Sequence, residues 1–66
     1  MNSNAERLYS LSVKTDQVVK LYPNMEIIPY KRWQVIATKL TKFEAKNERK
    51  RLMEFGFNVV KQLPHL

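Results

Sequence analysis

Most of the chemistry this chain can offer comes from lysine and arginine. Between residues 31 and 66 stand Lys31, Arg32, Lys39, Lys42, Lys46, Arg49, Lys50, Arg51 and Lys61, against Glu44, Glu48 and Glu54. Residues 1–30 hold Arg7, Lys14 and Lys20 against Glu6, Asp16 and Glu26, so the formal net charge of +6 lies wholly in the later part. Each ammonium or guanidinium that meets a nucleic-acid phosphate releases condensed counterions and gains affinity without reading sequence. Charge present only for solubility has no reason to gather in one half, whereas a surface that faces a polyanion does. The plainer alternative is a solvated helix face on which Glu44 and Glu48 neutralise neighbours three or four residues away.

Other chemistries are poorly supplied. There is one histidine, His65, no cysteine and a single glycine, Gly56, so a nucleophile with its base and a phosphate-cradling loop are both poorly supplied. A zinc site needs three or four ligands. The expectation is a protein without catalysis, metal or cofactor, with His65 in an exposed tail. Lack of cysteine excludes a disulfide framework and permits a reducing compartment. The stretch Met1-Asn2-Ser3-Asn4-Ala5-Glu6-Arg7 has neither the basic nor the apolar region of a secretory signal, and no apolar run approaches the roughly eighteen residues of a membrane span. A soluble cytoplasmic chain is expected.

The elements that must position the basic residues belong to one domain covering residues 1–66. An apolar content of 44% supports a packed core, and no repeat, low-complexity tract or Gly/Ser linker divides the chain. In the first segment, residues 3–22, Ser3 or Asn4 is a candidate cap, and Ala5, Leu8, Leu11, Val18 and Tyr22 recur at helical spacing. Tyr9-Ser10-Leu11-Ser12-Val13-Lys14 alternates with the strand period instead, and Thr15 or Asp16 could begin a second piece.

The second segment has Pro29 suited to a first helical turn, then Trp33, Ile36, Ala37, Leu40 and Phe43 on one face. On that helix Lys31, Lys39, Lys42 and Lys46 gather roughly 130° from the apolar stripe. The third opens with Asn47 as cap and Glu48 in the first turn, and keeps Leu52, Phe55, Val59 and Leu63 at helical spacing up to Pro64. Gly56 and the alternation after it allow the helix to stop there and a short strand to follow. These patterns predict an all-α fold, a small three-helix bundle. The alternative is an α+β domain with a helical middle and short paired strands at residues 9–13 and 57–63.

The functional expectation is a small basic nucleic-acid-binding protein, a DNA-binding regulator or accessory factor, with duplex DNA preferred to RNA. Lys39, Lys42, Lys46, Arg49, Lys50 and Arg51 are the candidate phosphate contacts; Lys31, Arg32, Gln34 and Thr38 would reach bases if their helix enters a groove. A helix-turn-helix over residues 16–38 fits the spacing, although the connection from Pro23 to Pro29 is longer than the usual turn and has no glycine. Trp33 and Phe43 fit a core, and Tyr30 is kept as a stacking candidate. Apolar residues off the stripes (Met25, Ile27, Ile28, Val35, Phe57, Val60) suit either a homodimer surface or a core in another register. The rival class is a protein-interaction module, a small inhibitor or adaptor docking on an acidic protein. A basic amphipathic helix lying on a membrane is a minor third reading.

Overall fold

The computed structural model describes residues 7–64. The chain forms β1 (Tyr9–Lys14), α1 (Thr15–Leu21), β2 (Trp33–Leu40), α2 (Lys42–Phe55) and β3 (Val60–Pro64). It is a three-stranded antiparallel sheet with two helices, which overturns the three-helix bundle. The Ser3 or Asn4 cap and the His65 tail fall outside the described residues.

Strand β1 is the centre of the sheet, with order β2-β1-β3, and it pairs antiparallel with both neighbours. The outer strands therefore run parallel to each other, and α2 is the crossover that carries the chain from one edge to the other. Leu11 and Val13 of β1, Val60 of β3, Val18 of α1, Ala45 of α2 and Phe57 form one buried cluster. Both helices thus cover the same face of the sheet. The opposite face carries Ser10, Ser12 and Lys14 from β1, Trp33 and Val35 from β2, and Lys61 and Leu63 from β3, as the paired registers require.

The strict alternation of residues 9–14 becomes β1, and the pairing of the chain's two ends in the α+β alternative is present, Val13 opposite Val60 and Tyr9 opposite Pro64. Its helical middle is not, because residues 33–40 form a strand. The reason is local. Trp33, Val35, Ile36 and Thr38 favour an extended backbone, and the register against β1 shifts twice, so β2 carries an extra residue on each side of Leu11's partner Ala37. These bulges bring Ile36, Ala37 and Leu40 all against the core, a three-to-four-residue spacing that imitates a helix. Lys39, in the second irregularity, has φ 58. With a strand where the recognition helix would be, the helix-turn-helix is excluded, and Pro29 lies in the connection between α1 and β2.

Helix α2 begins earlier than Asn47. Thr41 caps it: its hydroxyl accepts the Glu44 N–H at 3.2 Å, while the Glu44 carboxylate accepts the Thr41 N–H at 2.9 Å. Lys42 and Lys46 therefore share one helix with Arg49, Lys50 and Arg51. The helix stops at Gly56, whose φ of 141 suits glycine, and the N–H groups of Gly56 and Phe57 both donate to the Leu52 carbonyl. Tyr22, Phe55 and Phe57 stack beyond it, with the Tyr22 and Phe55 rings 4.9 Å apart. No helix among the described residues is long and apolar enough to cross a membrane.

Candidate nucleic-acid interface

The uncovered sheet face is built around Trp33. Its indole is half-buried but takes no part in the core cluster. Lys14, its cross-strand neighbour, places Nζ 5.9 Å from the ring centroid; Lys61 reaches diagonally over β1 and places Nζ at 4.4 Å. Both are within the range in which a cation is attracted to the face of an indole. An open cleft of about 570 Å³ adjoins the ring, lined by Lys14, Thr15, Asp16, Pro29, Lys31, Arg32 and Trp33.

Gln34 holds the rim of this cleft in place. Its amide donates to the Thr15 hydroxyl at 2.7 Å and to the Ile28 carbonyl at 2.9 Å, and its oxygen accepts the Ile28 N–H at 3.0 Å. Thr15 completes the clasp: its N–H donates to the Arg32 carbonyl at 2.8 Å and its hydroxyl donates to the Lys31 carbonyl. Only 7% exposed, Gln34 is not available to a base edge. It fixes the backbone from which Lys31 and Arg32 project.

A second group of cations lies on α2. At about 100° per residue, Lys42, Lys46, Arg49 and Lys50 fall within one arc of roughly 100°, and Arg51 is about 180° from Lys42. Lys46, Arg49 and Lys50 line a shared groove of about 540 Å³ with Asn47, Met53 and Glu54. Arg51 is elsewhere, paired with Glu48 at 2.9 Å.

The two groups meet at the edge of β3. The Arg49 Nε donates to the Val60 carbonyl at 3.4 Å, and the next residue, Lys61, is the one over Trp33. Arg49 thus ties the α2 flank to the β3 edge, Lys61 and Lys14 meet at the Trp33 ring, and Lys14 shares a cleft with Lys31 and Arg32, which makes a belt of cations around one side of the molecule. Two carboxylates share these surfaces, Asp16 in the cleft and Glu54 in the α2 groove, and neither forms an ion pair within 4 Å among the described residues. Among the described residues Arg51–Glu48 is the one ion pair within 4 Å.

Of the residues expected from the sequence, this belt unites Lys31, Arg32, Lys46, Arg49 and Lys50, while Lys42, at the start of α2, lines neither the cleft nor the α2 groove. The belt also leaves out Thr38 and Lys39, exposed near the far end of β2, as well as Arg51 and Gln34. Tyr30 is 84% exposed, between Pro29 and Lys31 of the cleft. Sequence reasoning missed Lys14, Lys61 and the surface role of Trp33. The available signal was the alternation of residues 9–14, which puts Lys14 on the face opposite Leu11 and Val13. Among the described residues no three His, Cys, Asp or Glu side chains group as metal ligands. No protein-family model, curated protein or solved structure matches this chain.

Proposed function

We propose that this protein binds nucleic acid through its phosphates, with DNA as the first target to test, and acts as a non-catalytic regulator or accessory factor. The observation that carries the reading is the belt of cations from the α2 flank around the β3 edge to the Trp33 face, none of which forms an ion pair within 4 Å among the described residues. Such a surface attracts a polyanion from a distance and holds it by counterion release. The test is a binding titration against labelled DNA and RNA at two ionic strengths. Affinity falling steeply with salt supports the reading; absence of binding at low salt removes it.

Exposed apolar side chains favour a second reading. Phe43 is 73% and Val35 61% exposed, and with the cations around them they suit docking on an acidic protein partner. Capture from lysate with and without nuclease separates the two: a stoichiometric protein that survives nuclease supports docking, and loss of all captured material supports nucleic acid. A homodimer, if formed, would use exposed apolar side chains such as Val35 and Ile28 rather than strand addition at the sheet edges. Two bulges interrupt β2, and on β3 Pro64 lacks an N–H while Arg49 occupies the Val60 carbonyl.

A further inference from the structure

We infer that the ligand of the uncovered sheet face is a single-stranded nucleic acid, one of whose bases stacks on Trp33 in place of the Lys61 ammonium; this rests on the nucleic-acid reading and specifies it. The shape of the surface supports a single strand over a duplex. A major groove admits one helix or a two-stranded ribbon. The Trp33 face is three strands wide, and with neighbouring strands about 4.8 Å apart its side chains span more than such a ribbon does. The α2 cations are exposed and unaccompanied by an aromatic platform, so that flank supplies charge to a polyanion of either form, and the choice between strand and duplex falls to the Trp33 face.

The chemistry agrees with the shape. Proteins that hold single strands combine a cationic track for the backbone with an aromatic platform for the bases. Here Trp33 is the platform, with Ser10 and the exposed Val35 as small or apolar neighbours on the same face, Ser12 being only 4% exposed, and Lys14, Lys61, Lys31 and Arg32 are disposed along it for phosphates. The Lys61 ammonium already occupies the ring face, held by the attraction a stacked base would replace. When a base arrives, Lys61 moves to the adjoining phosphate, exchanging a cation–π contact for an ion pair.

Because Trp33 is the sole tryptophan, its emission reports the event directly. The chain is titrated with a dye-labelled oligothymidylate of about twelve nucleotides, within the range of site sizes for such folds, following dye anisotropy and tryptophan emission together. Blunt duplex of equal length and heparin, a polyanion without bases, serve as comparisons. The expected result is quenching that saturates with the anisotropy change, weaker binding of the duplex, and no comparable quenching by heparin. Trp33→Ala lowers oligothymidylate affinity by about five- to a hundredfold and leaves heparin affinity unchanged, while Trp33→Phe retains most of the strand affinity. Salt-dependent strand binding without quenching, or duplex bound as tightly as single strand, overturns the stacking inference and leaves nucleic-acid binding standing. No binding to either nucleic acid overturns both. The quenching measurement uses the unmodified chain, so it decides even if Trp33→Ala fails to fold.

Discussion

The Trp33 face and the α2 flank are both basic, yet they are built differently. On the sheet, lysines from two strands converge on an aromatic ring, and the Gln34–Thr15 clasp fixes the rim. On the helix, Lys42, Lys46 and Lys50 are point charges on flexible stems, with Arg49 alone tied down. Under the proposed function a polyanion of any kind would satisfy the helix, whereas only one that carries flat, stackable groups would make use of the sheet. Affinity and discrimination would then fall to different regions, and variants should separate them.

The largest effect comes from the scaffold that both regions share. Phe57 is 1% exposed in the core cluster, so Phe57→Ala is expected to cost about 3–5 kcal/mol. In so small a domain this removes most of the stability and both surfaces with it, measurable by urea unfolding followed by circular dichroism.

Gln34→Ala sharpens the contrast. It strips partners from the Ile28 N–H and the Ile28 carbonyl, with an expected cost of about 1–3 kcal/mol. Strand affinity falls beyond what the lower stability accounts for, while heparin affinity, which draws on the α2 flank, stays within about twofold at a temperature where the variant is folded. Equal losses for both ligands would erase the distinction between the regions.

Thr41→Ala acts on the helix alone. Loss of the reciprocal cap is expected to cost about 1 kcal/mol in unfolding experiments while leaving tryptophan emission of the free protein unchanged. The smallest effects come from single cations. Lys50→Ala and Lys61→Ala should each reduce the salt slope for single-stranded DNA by about 0.7, but only Lys61→Ala should alter the emission of the free protein, since Lys61 alone of the two lies over the indole. Matching emission changes in the two variants would contradict the assignment of Lys61.

Some of this organisation was legible from residues alone. The alternation of residues 9–14 is β1, the stop at Gly56 is real, and the excess of charge after residue 30 does supply most of the belt. What misled was β2. Its bulges place Ile36, Ala37 and Leu40 together on the core, and that spacing satisfies a helical template as well as a strand template corrected for two extra residues. Treating residues 31–43 as helix then hid three facts. Trp33 moved from the surface to a core stripe, Gln34 moved from a buried clasp to a base-reading position, and the true cap at Thr41 gave way to Asn47. Lys14 was undervalued because it sits in the electrically neutral half. Its place beside Trp33 is created by strand pairing, which no window along the chain can register.

Salt dependence tests the central claim most directly. Affinity of the intact chain for a labelled single-stranded oligonucleotide is measured between about 50 and 200 mM salt, and log K is plotted against log salt. With four to six of the belt cations meeting phosphates, a slope between about −3 and −4 is expected, at roughly 0.7 per contact. A slope near zero, or no complex at the lowest salt, would contradict the account.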